Sequence, residues 1–288
     1  MCRLYAFRSS LRSAVHRSLI AAENALARQS AAHPDGWGLG YYVDDYPHLY
    51  RSPAQAMADG LFRELSSVVA AYTLLGHVRK ASVGEINLLN CHPFQFGNWL
   101  FAHNGEIAGY NESPDIRRRV LDLVAPRFGR HLMGSTDSEV VFYAFLSRLV
   151  HQFEDIHLPG LPFEAIATAL RATVDDVVAI SDTFQQADGT EQLTKLTLIA
   201  TNGNAMVGHR FRMPLYRSTY KTVCPERDDC PWYRPTMCEA PVDDGIVRHL
   251  VLASEKVAEN PNVWIPLAEG ETVGVDHGMH FRRMPGVG

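Results

Sequence analysis

The chain has 288 residues, of which 46% are hydrophobic and 20% charged, and carries a formal net charge of -5. That balance is ordinary for a folded enzyme, excludes the disordered and fibrous classes, and offers no basic field for nucleic acid or acidic lipid. No apolar run reaches the about 18 residues a membrane span needs.

Arg3, Arg8, Arg12 and Arg17 interrupt any signal-peptide core, so the five cysteines read as reduced thiols and the expected compartment is the cytoplasm. MCRLYAF alternates loosely and predicts a first strand, and Val15 to Leu26 carries apolar residues at helical spacing. The turn-rich AAHPDGWGLGYYVDD feeds a hairpin, with Pro47 expected to close the strand ahead of HLYRS. Residues 54–71 read as a helix. AYTLLGHVR and NWLFAHNG read as buried strands with polar tips, joined by a loop over KASVGEINLLNCHPFQFG.

STDSEVVFYAFLSRLVHQF opens on Thr136 and Glu139, three apart as a capping box requires, and LPFEAIATALRATVDDVVAI predicts a further helix. Short strands follow over LTLIATNG, AMVGHRF, MPLYRS, RHLVLASEK and ETVGVDHGMHFRRM. Strands at both ends with helices between them argue for a mixed layered fold, not an alternating parallel sheet. One domain is expected over residues 2–288, with an irregular insert at 219–244.

The chemistry begins at position 2. Removal of Met1 by an aminopeptidase, which tolerates a small following residue, leaves a free α-amine on Cys2. That amine titrates at about 7.7 to 8 and the thiol beside it at about 8.5. One residue then carries both a nucleophile and a weak base.

Four stretches, MCRLYAF, GHVRKASVG, FAHNGEI and GSTDSE, resemble in order and residue type the glutaminase domains of class II glutamine amidotransferases, which are N-terminal-nucleophile hydrolases. HPDGWGLGYY, NCHPF and ASEK bring the resemblance closest to free-standing members such as the γ-glutamyl hydrolase of ergothioneine biosynthesis. The resemblance implies an α+β fold, a four-layer αββα sandwich with Cys2 at the start of a strand. It further implies that Cys2 attacks a side-chain amide, that the Asn104 side chain and Gly105 N–H hold the resulting oxyanion, and that Arg79 and Asp137 clamp the α-carboxylate and α-ammonium of the substrate. No cofactor and no metal are implied.

Each residue also has a plainer reading. Asn-Gly is a strong hairpin signal. An arginine at a strand tip often makes a surface salt bridge. An aspartate in a first helical turn is favoured by the helix dipole whatever its function. His77 and His103 are read as satisfied structural histidines, Trp37 as core or pocket wall, and Cys91 as a small buried hydrophobe. Cys224, Cys230 and Cys238 do not fit zinc spacing, and their insert is expected near the pocket mouth.

Amidotransferases that feed a synthase typically carry an aromatic residue after the arginine and continue into a synthase domain. Here Lys80 follows Arg79 and the sequence ends at Gly288. The expected function is therefore hydrolysis of a γ-glutamyl amide to glutamate and an amine. Two alternatives stay open: a glutaminase subunit serving a separate synthase partner, and an inactive glutamine or γ-glutamyl sensor. The expected ligand is a small γ-glutamyl compound, with no nucleic acid and no membrane, and a homo-oligomer also stays open.

Overall fold

The computed structural model describes residues 2–286, so the expected removal of Met1 lies outside the described residues. The chain begins with β1 (Arg3–Ala14), a π turn at Arg17–Ala21 and α1 (Leu26–Gln29). The hairpin β2 (Trp37–Val43) and β3 (Tyr46–Ser52) follows, then α2 (Gly60–Val68), β4 (Ala70–Val78), β5 (Phe94–Phe96) and β6 (Trp99–Glu106). Next come α3 (Pro114–Leu121), α4 (Pro126–Gly129), α5 (Asp137–Gln152) and α6 (Phe163–Ser181). The remainder is β7 (Lys195–Thr201), β8 (Met206–His209), β9 (Tyr216–Ser218), α7 (Pro235–Cys238), β10 (Gly245–Ile246), β11 (His249–Ala253), β12 (Ile265–Pro266), β13 (Thr272–Val275) and β14 (His280–Met284).

These strands form two seven-stranded sheets, ordered β12-β9-β11-β1-β4-β2-β3 and β10-β14-β13-β8-β7-β6-β5, with antiparallel pairings throughout. Alternation of side chains decides the layers. Leu4, Ala6, Leu75, Leu100, Ala102, Ile199 and Leu252 meet between the sheets. The opposite parity, Tyr5 and Phe7, packs with Trp37, Leu26 and Phe62 under α1 and α2. Phe101, Leu196, Leu198 and Ala200 pack under α5 and α6. The result is the expected four-layer αββα sandwich, and because both faces of each central strand are covered, those strands read as continuous apolar runs.

Three local expectations are corrected. The helix predicted over Val15 to Leu26 breaks after one π turn. Asn24 there is drawn away by tertiary hydrogen bonds, its N–H to the Val257 carbonyl at 2.9 Å and its side-chain amide to the Lys256 carbonyl at 2.9 Å. The helix predicted over 54–71 shrinks to α2, since Asp59 caps it by accepting from the Leu61 N–H and the chain turns extended at Val69 to enter β4. Pro47 does not close a strand. It lies inside β3, an edge strand, where its missing N–H costs no ladder bond.

Candidate active site

Cys2 stands one step before β1 and shares the parity of Leu4 and Ala6, which turns its side chain toward the gap between the sheets. It is buried, and its sulfur lies 3.5 Å from the Lys80 amide nitrogen and 3.5 Å from the Lys80 carbonyl oxygen. Burial pushes the thiol pKa up. The Lys80 backbone and the Arg79 guanidinium pull it down, and the Asp137 carboxylate adds to the rise. The charges of both proposed clamp residues thus act on the proposed nucleophile.

Arg79 follows β4 immediately and is only 2% exposed. Among the described residues it makes no salt bridge. Its Nη1 donates to the Glu85 carbonyl at 2.9 Å, and its Nη2 to the carbonyls of Val83 at 2.9 Å and Gly84 at 3.2 Å. The guanidinium organises the loop that follows it. Asn90 fastens the same loop from the other side, donating to the Glu85 carbonyl at 2.9 Å and accepting from the Ser135 N–H at 2.8 Å.

Ser135 leads into α5, which Thr136 caps by accepting from the Glu139 N–H. Only half of the expected capping box forms, because the Glu139 carboxylate accepts from the N–H groups of Met133 and Gly134 instead. Asp137, 2% exposed, accepts from the N–H groups of Ile107 and Ser138, each at 2.8 Å. Burial pushes its carboxyl pKa up, while His103 and those N–H donors pull it down. A carboxylate offers about four lone-pair sites, so two backbone bonds leave capacity for a ligand's ammonium.

Asn104 and Gly105 do not form a hairpin turn. Both lie inside β6, paired with Thr197 and Leu196 of β7. Asn104 shares the parity of Leu100 and Ala102 and so faces the gap between the sheets. It is 1% exposed, yet among the described residues neither its Oδ1 nor its Nδ2 has a hydrogen-bond partner. A buried amide left unpaired costs about 1–3 kcal/mol, so folding alone does not favour it. Gly105 has φ +150°, and a Cβ there would sit 1.9 Å from the Lys195 carbonyl oxygen, so only glycine fits.

His103 has the opposite parity and is satisfied on both nitrogens, at 2.8 Å from Ser138 Oγ and 2.9 Å from the Lys195 carbonyl. His77 faces the gap in register with Leu4 and packs against His92 with ring centroids 4.2 Å apart. Burial and the nearby Arg79 charge push its pKa down to about 3. Trp37 is core, packed edge-on against Phe62 with its indole N–H on Asp59. Cys91 is buried and its thiol pKa pushed up by burial.

The structure adds Asn90, His92 and Ser138, which the sequence reading passed over. Their only signal was proximity, in NCHPF and GSTDSE, to residues already singled out. The insert at 219–244 is anchored by the Lys221 N–H on the Cys238 carbonyl, the Thr222 N–H on the Pro261 carbonyl and the Arg282–Asp244 ion pair. Among the described residues no hydrogen bond joins it to Cys2, Arg79, Asn104 or Asp137, so the expected place at the pocket mouth gains no support. Among the described residues, too, no cluster of three or more His, Cys, Asp or Glu side chains could hold a metal ion.

The family model for glutamine amidotransferases class-II matches residues 1–202. In Saccharomyces cerevisiae the protein named "Probable glutamine amidotransferase DUG3" is 26% identical over 194 residues, covering 65% of this chain and 54% of that protein. A gamma-glutamyl-hercynylcysteine sulfoxide hydrolase of Mycobacterium tuberculosis is 38% identical over 74 residues, covering 25% of this chain and 32% of that protein. The chain spans about half or less of the length of the curated relatives it matches. Among solved structures, a glutamine aminotransferase class-II domain protein from Silicibacter pomeroyi aligns over 99% of this chain and 98% of its own, with TM-score 0.64 and 18% identity. The glutamine phosphoribosylpyrophosphate amidotransferase of B. subtilis aligns over 98% of this chain and 49% of its own, with TM-score 0.60 and 12% identity. These two likenesses establish the fold.

Proposed function

Because the chain belongs to the class II glutamine amidotransferases, we propose that it hydrolyses the amide bond of a γ-glutamyl compound, releasing glutamate and an amine, with Cys2 as an N-terminal nucleophile. The observation that carries this reading is the placement of Cys2, buried with its sulfur 3.5 Å from the backbone of Lys80, the residue after Arg79, where the Arg79 and Asp137 charges act on the thiol in opposite directions. Those two charges suit the carboxylate and ammonium of a glutamyl end, and in this reading a group held by both presents its γ-carbonyl to the Cys2 sulfur.

In this reading the free amine of Cys2 takes the thiol proton and the thiolate attacks the γ-carbonyl carbon. The carbonyl oxygen becomes an oxyanion, for which the unspent Nδ2 donor of Asn104 and the N–H of Gly105 are the proposed partners. Collapse expels the amine, which leaves with the proton held by the N-terminus. Water then cleaves the thioester, giving glutamate and the restored thiol. Buried polar donors aimed at developing charge are worth more than in water, which gives the unpaired Asn104 amide a use that offsets its cost to stability.

The relative that acts on gamma-glutamyl-hercynylcysteine sulfoxide supports a γ-glutamyl substrate with a bulky amine side rather than glutamine itself. A panel of γ-glutamyl amines, with glutamine as comparator and glutamate release as readout, tests this. Turnover of at least one γ-glutamyl amine above glutamine is expected. Turnover of glutamine alone would transfer the reading to a glutaminase, and turnover of none would remove the catalytic assignment.

A further inference from the structure

A cleft lies at the edges of the two sheets, lined by none of the described residues proposed for catalysis. β3 ends one sheet and β5 ends the other, and between these two open edges sits a cleft of about 410 Å³, a size that suits a small molecule. Arg51 of β3 forms one wall, Phe96 of β5 the second, Arg130 and His131 the third, and Glu139 and Tyr143 of α5 the floor. Cys2, Arg79, Asn104 and Asp137 are not among its described lining residues, and the segment around His92 runs beside it, between the lining residues Leu89 and Phe94. That segment crosses β2 so closely that a Cβ on Gly38 would meet the His92 carbonyl oxygen at 2.0 Å.

The charges of this cleft are unbalanced. Arg51 is half-buried and spends one hydrogen bond, Nη1 to the Cys91 carbonyl at 3.1 Å, with no carboxylate in ion-pair contact among the described residues. Burial pushes its pKa down, and the Glu139 charge opposes that fall without neutralising both arginines of the lining. Among the described residues Arg130 donates only to the His131 ring, at 3.3 Å. Glu139 is the one acid of the lining, and both its oxygens are occupied by the N–H groups of Met133 at 3.0 Å and Gly134 at 2.7 Å. Two guanidinium groups therefore face the cavity with donors to spare.

The remaining wall is aromatic. Phe96 meets His131 edge-on at 5.1 Å and Tyr143 edge-on at 6.1 Å, while His131 stacks on Tyr143 at 6.3 Å. Among the described residues the Tyr143 hydroxyl has no hydrogen-bond partner. Guanidinium forks select carboxylate or phosphate oxygens, and aromatic edges and faces select a flat ring.

We propose that this cleft is a second small-molecule site, distinct from the Cys2 site, that takes a flat aromatic or heteroaromatic ring bearing a carboxylate or phosphate. The shared chemistry covers both a mononucleotide and an aryl acid. An occupant would also compete for Arg51, which holds the Cys91 carbonyl one residue from Asn90. Asn90 in turn holds the loop that Arg79 organises, so the two sites share a wall.

Calorimetric titration of the full chain with adenosine 5′-monophosphate, phenyl phosphate, phenylacetate, inorganic phosphate and adenosine tests this. One ring-bearing anion is expected to bind with one-to-one stoichiometry, at least about tenfold tighter than phosphate or adenosine. Which anion wins separates nucleotide from aryl acid. Binding should persist in saturating glutamate and weaken about tenfold in Arg130→Ala, a change to an exposed side chain. Arg51→Met should weaken it further, with the Arg130 variant deciding the matter if Arg51→Met does not fold. Failure of every ring-bearing anion to bind, displacement by glutamate, or affinity unchanged in Arg130→Ala would each overturn the proposal. None of these outcomes depends on hydrolysis at Cys2.

Discussion

The Cys2 sulfur and the Lys80 amide nitrogen lie 3.5 Å apart, although 78 positions separate them in the chain. The contact exists because β1 and β4 pair antiparallel with Arg3 opposite Val78, which brings the start of one strand beside the end of the other. Arg79 is thereby fixed next to the nucleophile while its guanidinium grips three carbonyls of the following loop. Arg79→Lys keeps the charge and loses the fork. It should lower kcat/KM for γ-glutamyl substrates about 100-fold, mostly through KM, as measured by initial rates at low substrate. Near wild-type kcat/KM would detach Arg79 from substrate binding.

Asn104 predicts activity and stability moving in opposite directions. Replacing it with leucine, similar in volume and without polar atoms, removes a buried amide that has no partner. Thermal stability should rise by up to about 1–3 kcal/mol, while kcat falls about 100- to 1000-fold. A variant less stable than wild type would mean that the amide has a structural partner in solution, and the oxyanion role would lose its physical support.

The mixed layered fold was legible because strand-like apolar runs such as Leu4-Tyr5-Ala6-Phe7 stand at both ends of the sequence with helical patterns between them, while the four-layer form came from the family resemblance. Asn104 and Arg79 were legible as members of motifs, but their states were not. Nothing in FAHNGEI says that one polar neighbour, His103, is satisfied by Ser138 and Lys195 while the next, Asn104, is left bare. That difference is set by which sheet face each residue takes and by what α5 places opposite. The broken helix after Val15 was illegible for a similar reason, since Asn24 answers to Lys256 and Val257, more than two hundred residues away.

His77 makes the protein sensitive to acid. Its pKa is depressed to about 3 in the fold, against about 6.5 in an unfolded chain. Between those values the unfolded state binds a proton that the folded state refuses, so stability is full above about pH 6.5 and is lost as pH falls toward 3, by at most about 1.4 kcal/mol per pH unit from this group. His77→Phe should flatten part of that loss. Denaturant unfolding of both proteins at pH 7 and pH 5 checks it, and parallel losses in the two would exclude His77 as a source.

Gly38 of β2 lies directly under the backbone at His92. Gly38→Ala forces a methyl against the His92 carbonyl, a backbone atom that cannot swing aside. A loss of about 3 kcal/mol is expected, at the upper end for overpacking. Chemical denaturation measures it, and a loss below the usual scatter of surface substitutions would show that the 91–93 segment is free to move.

The last prediction concerns Met1 and the nucleophile it covers. In the proposed mechanism the α-amine of Cys2 is the base, and a peptide nitrogen in its place has no basicity to offer. A preparation that retains Met1 should therefore fold normally, with the thermal midpoint of the processed protein, yet release no glutamate. Cys2→Ser with Met1 removed should be crippled as well, because serine is a far weaker nucleophile near neutral pH. Burial pushes the Cys2 thiol pKa up, which makes the proposed base the more necessary. Intact-mass measurement paired with a glutamate-release assay separates the cases. Full activity in a preparation whose mass shows Met1 still attached would remove the terminal amine from the mechanism, and full activity in Cys2→Ser would remove the sulfur.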